Sequence, residues 1–314
     1  MKYKRKIESI RYHWRRGGLY RIAQKTCERV LFYFHPHMTP ESFLILKTSI
    51  FVGYWTDIVK PRSFSEKIIY CKLYRPNPLA NVLADKYKVR EYVKERVGGL
   101  VLNELLWVGE EGSSIPFDEL PDKYVVKANH GAGLNIFVRC LDEEKRDEII
   151  STANEWMRKK YGESTRSYEL QYDEVKPKII VERMMEDSTH GIPIDYKFFC
   201  FHGIPRYVQV DIDRFDDHRR NIYDDGWNLM PFELHYRNGR SVSRPKKLEK
   251  LLQVASDLSK SIDFCRVDLY LVNGTDVRFG EVTLYPGGGF ERFFPKRWDF
   301  ELGRLWDIPE QTND

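Results

Sequence analysis

The sequence predicts an α+β protein. Three observations lead to this prediction. The 314 residues suit about two domains, or one domain with large lobes. Residues 124–138 show the order strand, glycine-bearing loop and strand, without the helix that follows the loop in a Rossmann or Walker unit. Near the C-terminus, two strand patterns are joined by Asn273-Gly274, a typical hairpin turn.

Composition excludes several classes of protein. A hydrophobic content of 42% with 31% charged residues excludes wholesale disorder and collagen-like repetition. The five cysteines lie far apart without a C-x-x-C pair, which argues against a zinc ribbon, a redox motif and a disulfide framework. We interpret them as reduced thiols of a cytoplasmic protein. No apolar run approaches the roughly 18 residues of a membrane span, and the run 30–34 is too short for a signal peptide.

The basic charge belongs to one end of the chain. Residues 1–30 hold ten Lys or Arg against two Glu, a net charge of +8, whereas the remaining 284 residues sum to −4. Gly17-Gly18 separates two short basic amphipathic stretches, which we predict to be helical. Such a segment suits an anionic cytoplasmic leaflet, nucleic acid or a partner, and equally a solvated helix that packs on its own domain.

The next segment is predicted to be helical. Ser63 and Glu66 have the spacing of a capping box, and the helix that they begin should end before Pro76. A second helical stretch is expected over 79–93, followed by a turn and a short strand at 100–102.

The remaining chain alternates between strands and single helices. The predicted strands are 124–127, 136–138, 179–182, 196–201, 207–210, 266–272 and 277–284, the predicted helices are 144–161 and 245–261, and 211–226 is expected to be a charged loop. We therefore divide the chain into a basic helical extension (1–60), a helical region (61–119) and two lobes (120–186 and 187–314).

Carboxylates on the last two strands are the first candidate site. Asp268 and Glu281 lie on partner strands among apolar residues, and Arg266 shares the face of Asp268 by strand alternation. Magnesium is held by such paired carboxylates, with substrate phosphates and water completing its shell. An ion-pair network without any ligand is the other explanation, and the pattern taken alone favours it.

Lysines beside glycines are the second candidate. Lys127 ends a strand just before Gly131-Ala132-Gly133, so its ammonium could meet phosphate oxygens while loop amides cover them. A plain surface hairpin has the same pattern. Lys86 and Glu182 carry still less information when each is taken alone.

The order of these motifs resembles that of the ATP-grasp superfamily of ATP-dependent carboxylate ligases. The motifs are Leu120-Pro121-x-x-Tyr124-Val125-Val126-Lys127 with Gly131-Ala132-Gly133, Ile180-Val181-Glu182-Arg183-Met184-Met185, Asp195-Tyr196-Lys197, Arg266-Val267-Asp268-Leu269 and Gly280-Glu281-Val282-Thr283. Over about residues 61–308 the chain resembles, more narrowly, the TupA-like ATP-grasp family. That resemblance rests on Ser63-Phe64-Ser65-Glu66-Lys67, Asp85-Lys86-Tyr87-Lys88-Val89-Arg90-Glu91-Tyr92-Val93, Lys127-Ala128-Asn129-His130-Gly131-Ala132-Gly133 and Gly280-Glu281-Val282-Thr283-Leu284-Tyr285-Pro286.

The resemblance implies an ATP-grasp fold, in which two α+β lobes sandwich a nucleotide, and it implies ATP and Mg²⁺ as the bound groups. It implies that Arg266 and Lys197 are catalytic. The implied nucleotide-binding residues are Lys86, Lys127, His130, Gly131, Gly133, Glu182, Met184 and Asp195. The implied metal ligands are Asp268, Glu281 and Thr283, and Thr283 stands where many of these ligases have Asn.

The resemblance also implies a reaction, the joining of a carboxylate to an amine through an acyl phosphate. The family is associated with bacterial capsule and surface-polysaccharide synthesis, so an acidic sugar or glycan and an amine such as an amino acid are the expected substrates. The arginines that suit a carboxylate are Arg214, Arg219, Arg220 and Arg292, although solvated loop charges are an equal explanation. A sugar or glycan kinase and a non-catalytic membrane-surface scaffold are the alternatives.

Two expectations concern location and partners. The chain is expected to be cytoplasmic, with peripheral contact to the inner face of the plasma membrane through residues 1–30. Nucleic acid is not an expected partner, because the body of the protein is acidic and contains no recognised nucleic-acid motif.

Overall fold

A computed structural model describes residues 23–162, 166–188, 191–213 and 217–308. The two amphipathic stretches expected around Gly17-Gly18 therefore lie outside the described residues. The chain forms two compact units, one built from the chain up to Arg75 with Gly287–Arg304, the other from Pro76–Pro286 with the chain after Arg304. Within the described ranges, no helix has the length and apolar character that crossing a membrane requires.

The helices used below are α1 (23–34), α2 (Pro40–Val52), α3 (Phe64–Tyr74), α4 (Ala80–Ala84), α5 (Val89–Val97), α6 (Glu143–Trp156), α7 (Leu248–Ser259) and α8 (Arg297–Arg304). The strands are β1 (Leu105–Gly109), β2 (Tyr124–Ala128), β3 (Asn135–Val138), β4 (Ile179–Arg183), β5 (Ile194–Phe201), β6 (Ile204–Ile212), β7 (Arg219–Asp224), β8 (Glu233–Leu234), β9 (Phe264–Val272), β10 (Asp276–Thr283) and β11 (Phe293–Phe294).

The first unit is helical, and the predicted capping box is confirmed at the start of α3. The Ser63 hydroxyl accepts the Glu66 N–H at 3.1 Å, and the Glu66 carboxylate accepts the Ser63 N–H at 2.9 Å. Helix α8 packs against α3 and presents the fully buried Asp299 to it. The Asp299 carboxylate accepts the Ser65 N–H at 2.9 Å and the Tyr54 hydroxyl at 2.8 Å. The first turn of α3 thus anchors α8 through Ser65.

Asp299 should make the stability of this unit depend on pH. Burial raises the pKa of Asp299 to about 6. The folded protein therefore binds this proton more tightly than the unfolded chain, so the free energy of unfolding contributed by Asp299 falls as the pH rises from about 4 to about 6. Asp299→Asn should remove this fall, which we expect to be about 2–3 kcal/mol, in denaturant unfolding at pH 4 and pH 6.5.

The control for this prediction is Asp118→Asn, because the Asp118 side chain is exposed and forms only a surface pair with Arg146. That variant should keep the pH dependence of the unmodified chain. An equal pH dependence in Asp299→Asn and the unmodified chain would contradict the role given to Asp299.

The first sheet of the second unit has the order β1-β4-β2-β3, and its described neighbours all pair antiparallel. Helix α6 covers one face, where Ile149 and Trp156 pack with Val126 and Val181 of the central strands. The predicted strand, glycine loop and strand are confirmed as β2, the connection 129–134, and β3. The opposite face of these strands carries Lys127 and Glu182 beside the buried Val125 and Ile180.

The second sheet has the order β10-β9-β5-β6-β7 and is also antiparallel. Helix α7 packs on β5, β6 and β9, and the Cys200 thiol of β5 lies 3.8 Å from the Ala255 carbonyl oxygen of this helix. Residues of β5 and β9 that share the Cys200 face, such as Phe198 and Val267, are fully buried. The opposite face of the same strands carries the charged side chains described below.

A β-bulge at Gly280 determines which residues of β10 join that charged face. Phe279 pairs with Leu269, but the next paired residue is Glu281, which lies opposite Asp268. Gly280 is therefore the extra residue of the bulge. If the strand paired regularly here, without the bulge, Asp268 would lie opposite Gly280 and Glu281 opposite Val267. The Glu281 side chain would then point to the face of the sheet on which α7 packs. A Cβ atom at Gly280 would lie 2.9 Å from the Asp268 carbonyl oxygen, so the close approach requires glycine.

Four sequence predictions for elements need correction. The strand expected at 100–102 was wrong, since Gly99–Val101 forms a 3₁₀ turn and the strand follows at β1. The helix expected over 79–93 is interrupted, because the Asp85 carboxylate accepts the Tyr87 and Lys88 N–H groups and begins a new helix. The helix expected over 144–161 ends at Trp156. The expected charged loop 211–226 contains β7, whose charges are paired with neighbouring side chains.

Candidate active site

A row of charged side chains crosses the second sheet. Lys197 of β5 lies opposite Asp268 of β9, which in turn lies opposite Glu281 of β10. The Lys197 ammonium donates to the carboxylates of both Asp268 and Asp195 at 2.5 Å. Arg266 donates to both oxygens of Asp268 at 2.7 and 2.8 Å and to Glu281 at 3.1 Å. The predicted face shared by Asp268, Glu281 and Arg266 is confirmed.

The charges in this row stabilise one another against burial. Burial acts to raise the pKa of Asp268, but Arg266 and Lys197 hold it below its ordinary value. Burial also opposes the charge of Lys197, yet Asp268 and Asp195 hold the pKa of this lysine above its ordinary value. For Asp195, burial outweighs its lysine partner and raises the pKa to about 6.

Glu281 differs from the rest of the row because its side chain is 47% exposed. The Thr283 hydroxyl donates to the same Glu281 oxygen as Arg266, at 3.1 Å. The row therefore presents one accessible carboxylate beside a buried one. Thr283 touches Glu281 directly, and its role as a metal ligand stays a prediction.

Lys127 of the first sheet is held by Glu182 of the neighbouring strand, at 2.6 Å. The second oxygen of the same carboxylate accepts from Arg90 of α5 at 3.0 Å. Arg90 also donates to the Asn103 carbonyl oxygen at 2.7 Å. The sequence singled out Lys127 and Glu182 but missed Arg90, because this contact joins positions 92 residues apart.

Both oxygens of Glu182 are thus engaged by cations, so its carboxylate supports the lysine in this structure. The Met184 side chain is buried immediately after β4, and its backbone N–H donates to the Lys123 carbonyl oxygen at 3.3 Å. Adenine contacts of Glu182 and Met184 remain predictions.

Asn129 ties the glycine loop to the turn that carries Lys86. The Asn129 side-chain NH₂ donates to Asp85 at 2.9 Å, its side-chain oxygen accepts the Lys178 N–H at 2.7 Å, and the residue is completely buried. The Lys86 backbone N–H donates to the Asn129 carbonyl oxygen at 3.1 Å. The Lys86 ammonium donates to the Gly131 carbonyl oxygen. Lys86 is therefore anchored to the glycine loop, and Lys127 lies on the strand that precedes this loop.

His130 is buried in the wall of this loop. Its Nε2 lies 3.0 Å from the Trp156 carbonyl oxygen, and its Nδ1 lies 3.2 Å from the Asn129 side-chain oxygen. Burial lowers the pKa of His130. These contacts give the ring a positioning role, and direct contact with a nucleotide stays a prediction.

The two loop glycines are required for different reasons. A Cβ atom at Gly131 would lie 2.6 Å from the ring of Tyr161, so this position allows a close approach. Gly133 has a φ of 73°, which a residue with a side chain adopts only with strain. The loop conformation therefore depends on both glycines.

Lys86 connects the two clusters electrostatically. Burial lowers the pKa of Lys86 to about 8, the Glu281 carboxylate opposes this lowering, and Lys127 adds to it. Glu281 belongs to the second sheet and Lys127 to the first. Charges of both sheets therefore act on the pKa of one ammonium group, although the predicted residues are distant in sequence.

Two tyrosines that the sequence analysis missed lie beside this region. The rings of Tyr161 and Tyr172 meet edge to face, with centroids 5.0 Å apart. Burial raises the pKa of both, and the charge of Glu281 acts in the same direction. In the sequence they are only two aromatic residues in a polar stretch, and nothing there indicates that they lie near Glu281.

The oxygen-rich row fits a magnesium ion. Asp268 and Glu281 are hard oxygen ligands on one face, and magnesium is commonly held by one or two carboxylates together with phosphate oxygens. In the described part of the chain, no group of three or more His, Cys, Asp or Glu side chains is arranged to hold a metal ion. Such a site would therefore need the substrate's phosphates to complete it.

The arginines proposed for an acceptor have separate environments. Arg220 is buried and donates to Asp211 at 2.7 Å, and Arg219 pairs with Asp217 at 2.5 Å. Arg292 belongs to the first unit, where its guanidinium lies beside Gly53. Arg214 lies outside the described residues. Within the second unit, Arg219 and Arg220 therefore pair with different carboxylates.

Two antiparallel sheets, one with a glycine loop and lysines and the other with a carboxylate row, define the ATP-grasp class of protein. The family model described as TupA-like ATPgrasp matches residues 66–306, more than three quarters of the chain. The chain belongs to this family, which confirms the resemblance read from its motifs. A comparison with curated proteins finds no match.

Solved structures of related fold include D-alanine–D-alanine ligase from Bacillus anthracis, with 16% identity, 66% of this chain and 59% of that chain covered, and a TM-score of 0.42. N5-carboxyaminoimidazole synthetase from Staphylococcus aureus complexed with ADP shows 12% identity, 71% and 51% coverage, and a TM-score of 0.41. The ATP-grasp ligase PsnB complexed with minimal precursor shows 10% identity, 66% and 53% coverage, and a TM-score of 0.38. The chain spans less than two thirds of each of these proteins, and no residue role follows from the similarity.

Proposed function

We propose that this protein is an ATP-dependent ligase that joins a carboxylate to an amine through an acyl phosphate. The observation that carries the proposal is the position of Lys86, whose ammonium donates to the Gly131 carbonyl oxygen of the glycine loop and whose pKa is affected by Glu281 of one sheet and Lys127 of the other. The charged groups of Lys86, Lys127 and Glu281, which are distant in the sequence, therefore influence one another. Phosphoryl transfer needs charge neutralisation and positioning more than a covalent nucleophile, and these groups supply both.

The chain's own residues would act in two steps. In the first, a carboxylate oxygen of the substrate attacks the γ-phosphorus of ATP, the bond to the β-phosphate oxygen breaks, and ADP leaves. Lys86, Lys127 and Lys197 would neutralise phosphate charge during this step. In the second, the amine nitrogen attacks the acyl carbon, phosphate leaves and the nitrogen loses a proton. Arg266, beside Asp268 and Glu281, would stabilise negative charge on the acyl oxygen.

Asp268 and Glu281 would hold Mg²⁺, which when bound would neutralise the phosphate oxygens and orient them. Thr283, through its hydrogen bond to Glu281, would orient that carboxylate. Asp195 would face the ribose and Met184 the adenine. The glycine loop from Asn129 to Gly133 would cover the phosphates and exclude water from the acyl phosphate.

The proposed acceptor is a uronic acid or another acidic unit of a bacterial surface polysaccharide, and the proposed amine is an amino acid. Incubation with MgATP and pairs of such compounds tests this directly. ADP together with an amide supports the ligase. ADP together with a phosphorylated sugar would support a sugar or glycan kinase instead, and the absence of ADP with every pair would support a non-catalytic scaffold.

ATP affinity should depend on the protonation of Lys86. Its pKa of about 8 leaves the side chain charged at pH 7 and mostly neutral at pH 9. A neutral amine cannot pair with a phosphate, so the dissociation constant for ATP should rise by up to about tenfold per pH unit above pH 8. Calorimetric titration at pH 7, 8 and 9 measures this rise.

Lys86→Met should bind ATP more weakly at pH 7 and lose most of this dependence. The matched control is Lys88→Met, since Lys88 is an exposed residue of the same turn. A Lys86→Met variant that keeps the full pH dependence would assign the titration to another group.

A further inference from the structure

Gln209 of β6 continues the charged row of the second sheet by one strand. Lys197 of β5 is paired with Asp268 on one side and with Gln209 on the other. Gln209 is only 1% exposed. Among the residues that the structure describes, its side-chain oxygen has no hydrogen-bond partner. Because a buried polar atom without a partner is costly and uncommon in folded proteins, this oxygen requires an explanation.

Asp211 fixes the orientation of the Gln209 amide. The side-chain nitrogen of Gln209 donates to one oxygen of Asp211 at 3.2 Å. The other oxygen accepts from Arg220 at 2.7 Å and lies 3.1 Å from Nε2 of His218. Burial acts to raise the pKa of Asp211, but His218 and Arg220 hold it well below its ordinary value. Since Asp211 stays an acceptor, the amide cannot turn over without losing its hydrogen bond, and its oxygen remains available to a donor.

Lys197 offers a donor beside this acceptor. An ammonium has three N–H groups. In the described part of the chain, the Lys197 ammonium contacts two acceptors, the carboxylates of Asp268 and Asp195. A third N–H and the Gln209 oxygen therefore belong to directly paired residues of adjacent strands, a position in which Cβ atoms lie about 5 Å apart.

A donor and an acceptor side by side match only some of the groups that a ligase binds. Phosphates and carboxylates accept without donating, and a protonated amine donates without accepting. A neutral amine needs its lone pair for the attack on the acyl carbon. A hydroxyl group both accepts and donates, so it is the group that satisfies both side chains.

We propose that Gln209 and Lys197 bind a hydroxyl group of a sugar, which accepts from the lysine and donates to the glutamine oxygen. Two sugars supply this chemistry, the ribose of ATP, which Asp195 would also face, and the sugar ring of the acidic substrate. The inference rests on the proposed function, because both sugars belong to substrates of the proposed ligase. The positive charge of Lys197 acts on nearby phosphates whichever oxygen its N–H contacts.

Calorimetric titration with ATP, 2′-deoxy-ATP and 3′-deoxy-ATP tests the ribose. One of the deoxy nucleotides should bind the unmodified chain about tenfold more weakly than ATP, because it lacks the hydroxyl. Gln209→Met has a side chain of similar length without the amide. It should bind ATP about tenfold more weakly and bind all of these nucleotides within about twofold of one another. It should unfold at nearly the same denaturant concentration, because an unsatisfied oxygen is removed.

The matched control is Gln253→Met. Gln253 lies on α7, which packs on the opposite face of the same sheet, and its exposed amide also donates to an aspartate, Asp257, at 3.0 Å. This variant should discriminate between the nucleotides as the unmodified chain does. Gln209→Asn keeps the amide but draws its oxygen back by one methylene, so it should lose the discrimination, and it replaces Gln209→Met if that variant does not fold.

A separate titration tests the acidic substrate. If Gln209→Met discriminates between the nucleotides as the unmodified chain does, the ribose is excluded as the source. Glucuronic and galacturonic acid are then titrated into the chain saturated with a non-hydrolysable ATP analogue. Binding that weakens about tenfold in Gln209→Met, and not in Gln253→Met, supports the sugar of the substrate.

The opposite results overturn the inference. If ATP binds and Gln209→Met changes neither nucleotide discrimination nor uronic acid binding, or if no uronic acid binds once the ribose is excluded, the partner of the Gln209 oxygen is an ordered water molecule and the proposal is wrong. The proposed function would survive that result. An unmodified chain that binds no ATP would contradict the proposed function and this inference together.

Discussion

Glu281→Gln is expected to lower the rate of ATP-dependent product formation by at least about a hundredfold while leaving the fold intact. The Glu281 carboxylate is the accessible member of the charged row and the partner of Asp268 across two strands. Glutamine has almost the same size and retains an oxygen that can accept from Arg266 and Thr283. It removes the negative charge that a hard cation requires, so the effect should fall on chemistry and on magnesium dependence.

Stability should change little in this variant, by less than about 1 kcal/mol, because the lost ion pair is half exposed. The measurements are ADP release over a series of magnesium concentrations and an unfolding curve. The matched control is Glu249→Gln, which neutralises another glutamate paired with an arginine, 2.5 Å from Arg244 on an exposed surface. A Glu281→Gln enzyme with normal activity at all magnesium concentrations would remove Glu281 from the metal site.

Glu182→Gln is expected to have the second largest effect, on ATP affinity and on stability together. The Glu182 carboxylate forms salt bridges with Lys127 at 2.6 Å and with Arg90 at 3.0 Å, and all three side chains are largely buried. Loss of its charge leaves two cations facing one another with little solvent to screen them. We expect about 2–3 kcal/mol lower stability and at least about tenfold weaker ATP binding, because Lys127 loses the partner that positions it.

Arg90→Met tests how much the contact of Arg90 with Glu182 contributes to ATP binding. In this variant the Lys127–Glu182 pair survives, but Glu182 loses the guanidinium that also holds the Asn103 carbonyl oxygen. We therefore expect a moderate rise in KM for ATP, about three- to tenfold, with nearly unchanged kcat. Arg90→Lys should recover part of the affinity, although lysine cannot bridge both acceptors with the same geometry.

The control for both variants is Arg183→Met, because Arg183 is the next residue along β4 and pairs with Glu104 at 2.5 Å on an exposed surface. It should change neither KM nor stability measurably. If Arg183→Met weakened ATP binding as much as Glu182→Gln, a general perturbation of β4 would explain the data. If Glu182→Gln bound ATP normally, the positioning of Lys127 by Glu182 would be wrong.

The parts of the fold that the sequence could predict are those governed by local rules. The capping box of Ser63 and Glu66 needs only residues three apart, and the hairpin of β9 and β10 needs only alternation and an Asn-Gly turn. The common face of Asp268 and Arg266 follows from the two-residue period of a strand. These features depend on neighbours in the chain, so a single sequence contains them.

The parts that could not be predicted depend on contacts between distant segments. Nothing near Arg90 in the sequence indicates Glu182, and nothing near Asn129 indicates that its buried amide ties the glycine loop to Asp85. The sequence leaves Arg220 either as an arginine for an acceptor carboxylate or as a solvated loop charge, whereas in the structure its partner Asp211 lies on the neighbouring strand, which makes burial possible. The sequence therefore predicts the lysines and carboxylates of the candidate site. It does not predict the side chains that position them.

The bulge at Gly280 decides which side chains of β10 reach the charged face. A strand of the same length that paired regularly after Phe279 would exchange the two sides of everything after Gly280, setting Glu281 opposite Val267 and Val282 opposite Arg266. Such a strand would retain every acidic and basic group in its sequence, yet would have lost the pair that could grip a divalent ion. Deleting Gly280 would instead leave a regular ladder with Glu281 still opposite Asp268, so a relative with a gap at this position can keep the pair.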